Sequence, residues 1–128
     1  MSYYYARTVN LSFDEAIERV TETLKEEGFG ILTEIDVKET LKKKLDVDFR
    51  PYRILGACNP PFAYKALQTE NHVGTMLPCN VVVQELPSGE VEIAAIDPVA
   101  SMQAIDNPGL KEIAEEIRQK LRRAVDAV

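Results

Sequence analysis

The chain has 128 residues, 45 % apolar and 28 % charged, which suits one globular domain over residues 1–128 with a core of its own. Asp and Glu number 21 against 15 Lys and Arg, a net charge of −6 that repels phosphate backbones and argues against a nucleic-acid partner. No stretch approaches the roughly 18 apolar residues of a membrane span, and two cysteines do not make a disulfide framework.

In chain order, Tyr3 to Val9 is aromatic and β-branched and predicts a strand. Ser12 with Glu15 forms a capping box, and the helix behind it places Phe13, Ala16, Ile17, Val20 and Leu24 on one stripe. Gly28 suits the residue that stops it. Phe29 to Val37 predicts a second strand. Asp36 and Glu39 then offer a cap for a short helix from Lys38 to about Leu45, with only Leu41 and Leu45 apolar. Phe49 to Cys58 predicts a third strand. Asn59 is placed to cap a helix from Pro60-Pro61 to about Glu70, with Phe62, Ala63, Ala66 and Leu67 inward.

Val73 to Leu86 reads as broken extended chain, with a bulge or sheet edge expected at Pro78 because proline cannot donate to a ladder. Pro87-Ser88-Gly89 turns it into a hairpin with Val91 to Ile96. A further extended piece is expected after Asp97-Pro98, as far as Ala104. Asp106 or Asn107 caps the last helix, which carries Pro108 at its start and Leu110, Ile113, Ala114, Ile117, Leu121, Ala124, Val125 and Val128 on one side. Glu116 precedes Lys120 by four residues, a favourable helical pair, and Arg122 and Arg123 suit the C-terminal dipole. The hairpin and the helix order predict an α+β fold with an antiparallel or mixed sheet and helices largely on one face.

Three phrases, Gly28 to Val37, Leu55-Gly56-Ala57-Cys58-Asn59-Pro60 and Leu77-Pro78-Cys79-Asn80-Val81, resemble in the same order the uncharacterised bacterial and archaeal family called domain of unknown function 302. The resemblance implies an α+β domain of the TATA-binding-protein-like type, a curved antiparallel sheet backed by helices and paired as a dimer. It implies no activity, and the shape label brings no DNA binding with it.

The candidate site centres on Cys58, Asn59, Cys79 and Asn80. Cys58 lies just before a predicted helix start, where the dipole favours a thiolate. Its competing reading is a small core hydrophobe, since free cysteine is among the most buried residue types. Cys79 shares strand parity with Val81 and Val83 and can be core. Adjacent strands for the two thiols are permitted by their spacing but not required. His72, the only histidine, completes a conceivable soft-metal set with the cysteines, although the spacing matches no compact motif. It reads more simply as a solvated loop residue. Glu34 and Asp36 share a strand face and form a potential acid–base pair, or a surface residue and a helix cap. Lys42-Lys43-Lys44 reads as a solvated face.

No glycine-rich phosphate loop and no Gly-x-Ser-x-Gly elbow occurs, and no cofactor or metal is expected. The leading reading is a homodimeric module that binds a small ligand or partner segment, without catalysis, in a cleft near the strand ends. The alternative is thiol-redox or soft-metal handling by Cys58 and Cys79. With no basic n-region before an apolar run, a reducing cytoplasmic setting is expected, with no membrane association.

Overall fold

The computed structural model of the chain describes residues 2–128. Among the described residues there are five strands, β1 (Tyr4–Val9), β2 (Gly30–Asp36), β3 (Tyr52–Cys58), β4 (Cys79–Glu85) and β5 (Val91–Ile96), and five helices. The helices are α1 (Phe13–Glu26), α2 (Val37–Leu45), α3 (Pro60–Thr69), α4 (Pro98–Ser101) and α5 (Pro108–Asp126), with a 3-10 turn at Val73–Met76. The sheet runs in the order β1-β5-β4-β3-β2, and every pair is antiparallel. The α+β expectation therefore resolves to a wholly antiparallel sheet, with the predicted β4–β5 hairpin at its heart.

Alternation along the strands divides the sheet into two faces. One face carries Leu55, Val81, Ala95 and Tyr5 in one row across β3, β4, β5 and β1. The stripes of α1 and α5 cover it: Ala16, Val20 and Leu24 from α1, Leu121, Ala124 and Val125 from α5. All six side chains are buried. Burial of a side chain the size of Leu24 stabilises by about 1.5–3 kcal/mol, enough for α1 to be held by its tertiary face rather than by propensity. The capping box forms as the sequence predicts, with Ser12 Oγ accepting from the Glu15 N–H and the Glu15 carboxylate accepting from the Ser12 N–H.

A second, smaller core lies beyond the sheet end. It joins Ala66 of α3, Val73 of the 3-10 turn, Met102 after α4, and Leu110 and Ala114 of α5. Two expectations are corrected here. The stretch after Asp97 is not extended: Asp97 is buried and its carboxylate accepts from the Val99 and Ala100 N–H groups, which starts the short helix α4. Pro98 at the first helical position fits that role, since its missing N–H costs nothing there. Pro78 marks neither a bulge nor an edge. β4 lies inside the sheet, and Pro78 precedes its first residue, so no ladder bond is forfeited.

The bulge falls instead in the edge strand β2, where the register with β3 shifts between Ile31 and Thr33. Leu32 is the extra residue and is 68 % exposed. The shift sets Thr33 opposite Gly56, where a Cβ would collide with Thr33 Oγ1 and Pro78 Cγ. Gly56 is thus required by close approach, not by its backbone angle.

Candidate functional site

The seam between the two cores does not close. A cavity of about 310 Å³ lies between the ends of β2, β3 and β4 on one side and α3 and α5 on the other. Phe29, Ala57, Cys79 and Ile117 bring the main core to its wall, and Ala66, Met102, Leu110 and Ala114 bring the smaller one. Phe62, Leu67 and Ile113 also line it. Ala63 and Ala66 of α3 and Ala114 of α5 give this part of the wall short side chains that fill little of the space. Among the lining residues none carries a charge, and Asn59 is the only one with an amide side chain.

Cys58 and Cys79 both line this cavity. Cys79 pairs in register with Ala57, so the two cysteines stand on adjacent strands one residue out of step. Both are free thiols, Cys58 half-buried and Cys79 buried. Burial first, and the neighbouring Cys58 second, push the Cys79 thiol up from 9.0 to about 11. It is therefore protonated at neutral pH. A resolving thiol in disulfide exchange must be accessible and carry thiolate character, and Cys79 has neither.

The asparagines part company. Asn59 occupies the N-cap position of α3, yet its side chain makes no cap bond. It is buried, and its Nδ2 donates instead to the Glu27 carbonyl, 3.2 Å away at the end of α1. Pro61 contributes to the change, because one of the two N–H groups from which a cap side chain accepts is absent. Gly28, with φ +88°, makes room: a Cβ there would lie 3.0 Å from Asn59 Nδ2. Asn107 repeats the device before Pro108, donating to the Thr69 carbonyl at 2.8 Å. Each asparagine ties the start of one helix to the end of an earlier one. Asn80 is exposed, and alternation from Cys79 sends it to the opposite face of the sheet, so it is no part of the cavity.

The weaker candidates separate from the site as well. Glu34 and Asp36 do share a face, and Arg53 bonds to both, at 3.4 Å to Asp36. A guanidinium between two carboxylates makes a structural ion triplet, not an acid–base pair. Asp36 in addition caps α2 through the Glu39 N–H at 2.9 Å, as expected. His72 is exposed, precedes the 3-10 turn and does not line the cavity. Among the described residues, no group of three or more His, Cys, Asp and Glu side chains is placed to hold a metal ion, so Cys58, Cys79 and His72 do not form the conceived set. The Lys42-Lys44 run is a solvated face, with Lys43 paired to Glu39 at 2.7 Å and Lys42 to Asp46 at 2.8 Å.

Sequence reasoning placed a cleft near the strand ends but missed the wall that α5 gives it, signalled by Ala114 on that helix's inward stripe. It also missed the use of Lys120. The expected Glu116–Lys120 pair does not form, and the Lys120 ammonium lies 5.7 Å from the centre of the Phe62 ring.

The family model for domain of unknown function DUF302 matches residues 5–128. The chain belongs to this family. It is also similar to the crystal structure of an uncharacterised conserved DUF302 protein from Bacillus stearothermophilus, with a TM-score of 0.93 and 37 % identity over 99 % of this chain and 98 % of that one. No curated protein matches the chain. The family is the one that the Gly28, Leu55 and Leu77 phrases resemble, and the α+β class with an antiparallel sheet agrees with it. Among the described residues of this DUF302 chain, no helix is long and apolar enough to cross a membrane.

Proposed function

We propose that this DUF302 chain is a binding module whose site is the cavity between its two cores and whose ligand is a small apolar molecule. One observation carries the reading: a 310 Å³ space, open to solvent, walled almost wholly by hydrocarbon and sulfur. Ligand sites span about 300–1,000 Å³ and are mainly apolar, so this one is at the small end. Water needs two to four polar partners to be held in place, and the one amide side chain on the wall already donates to the Glu27 carbonyl. An apolar occupant loses nothing on entry and covers Phe62, Leu67 and Met102.

The test is fluorescence titration with N-phenyl-1-naphthylamine, an uncharged apolar dye. The native protein binds it with a rise in emission, and Ala63→Phe, on the half-buried wall, weakens that binding about tenfold with the far-UV spectrum unchanged. No dye binding by the native chain, or undiminished binding by Ala63→Phe, ends the reading.

A pairing of two copies is supported by the other face of the sheet. Ala6, Ala94, Val82, Ile54 and Ile35 form one apolar row across all five strands, and none of them is buried. A two-fold axis through Val82 lays this row on its own copy, the isologous arrangement of most dimers. Glu92, the one ionised side chain in the rows beside it, then faces the uncharged row of Asn80, Gly56 and Thr33, so no like charges meet. The sheet with helices on one face supports the TATA-binding-protein-like reading of shape, and two free thiols support a reducing, cytoplasmic setting.

A further inference from the structure

The geometry points to an amphiphile with an anionic head as the ligand class: a monocarboxylate whose tail fills the cavity and whose head is held at the mouth by Lys65 and Lys120. This rests on the cavity reading above and adds the charge of the ligand to it. Phe62 is the wall shared by the cavity and a shallower polar depression outside it, which Lys65 also lines. Two ammonium groups converge on this one ring, Lys65 Nζ at 5.3 Å and Lys120 Nζ at 5.7 Å from its centre. They come from different helices, α3 and α5. Among the described residues, neither forms an ion pair with a carboxylate. Lys120 stands over Phe62 although Glu116 lies one helical turn away.

Two cations near one ring repel each other, and an anion that reaches both removes that repulsion. The cavity wall holds no charge, so a charged group stays outside and only the tail enters. A cavity of about 150 Å³ takes benzene, so one twice that size takes roughly ten to twelve carbon atoms. Glu112 and Glu116 line the outer depression with Lys65 and disfavour a head with more than one negative charge.

The experiment displaces N-phenyl-1-naphthylamine with three ligands of one tail length: decanoate, 1-decanol and decyltrimethylammonium. Decanoate is expected to bind up to about tenfold tighter than decanol, the sum of two partly exposed ion pairs. Added salt reduces this preference. The Lys65→Gln/Lys120→Gln double variant loses the preference and binds decanol as the native chain does. Equal binding of decanoate and decanol, or a preference that survives in the double variant, overturns the headgroup assignment and leaves the cavity reading intact. Tighter binding of decyltrimethylammonium overturns it too, with Glu112 and Glu116 the dominant charges. If neither dye nor any of the three ligands binds, the cavity reading falls and takes this one with it.

Discussion

Leu55 and Ile54 are neighbours on β3 and point to opposite faces of the same sheet. Leu55 is 1 % exposed and lies under α1 and α5, whereas Ile54 sits half-exposed in the apolar row on the open side. The two rows have similar composition, yet one is core and the other is surface. What separates them is the connection pattern: long helices follow β1 and β5, and both pack back on the Leu55 face. An apolar row therefore does not reveal its role by composition. Its partner does, whether a helix of the same chain or a second copy.

The largest expected effect tests that contrast directly. Leu55→Ala should cost about 2–5 kcal/mol in urea denaturation, because it removes buried methyls and leaves a hole. Ile54→Ala, measured on a dilute sample, should cost under about 1 kcal/mol. Equal losses would mean that the open face is covered within one chain. The same face governs association: light scattering at micromolar concentration should give twice the chain mass, and Val82→Lys should halve it. A native chain that runs as a monomer ends the pairing.

Next in size is the alkaline side of stability. The folded chain holds the Cys79 thiol proton up to about pH 11, against an ordinary value of 9.0. Stability from this group is complete below pH 9 and is lost as pH rises from 9 to 11, because only the unfolded chain releases the proton there. The loss is about 3 kcal/mol. Cys79→Ala should flatten this part of the profile relative to native. If both chains lose stability in parallel between pH 9 and 11, the thiol is not sealed in the wall as described.

The smallest effect separates the asparagines. Asn59→Ala leaves the Glu27 carbonyl without its donor and should lower stability by about 1–2 kcal/mol. Asn80→Ala, at an exposed site, should stay within about 0.5 kcal/mol. Similar losses at both positions would contradict the division of the strands into a cavity side and an open side.

Where partners are close along the chain, the sequence was legible. Ser12 and Glu15 are three residues apart, and their capping box forms as read. Asp36 and Glu39 likewise make the predicted cap. Asn59 and Asn107 were misread as caps, since their true acceptors lie 32 and 38 residues earlier. No local pattern encodes such distances. Lys120 has a good local partner in Glu116 and takes a distant ring instead. For the candidate site, three of the four residues reach the cavity wall, Cys58 and Cys79 as the strand-end placement suggested. Asn59 reaches it as a clasp, and Asn80 does not reach it at all.

By itself the sequence determined the periodic stripes, the caps and the hairpin, because each depends on dihedral preference and on neighbours within a turn or two. Only the tertiary structure decided that two separate cores meet without filling the space between them, with Ala63, Ala66 and Ala114 on its wall. Volume in a seam is a difference between side chains brought together from remote parts of the chain, and that difference exists only once the helices are packed.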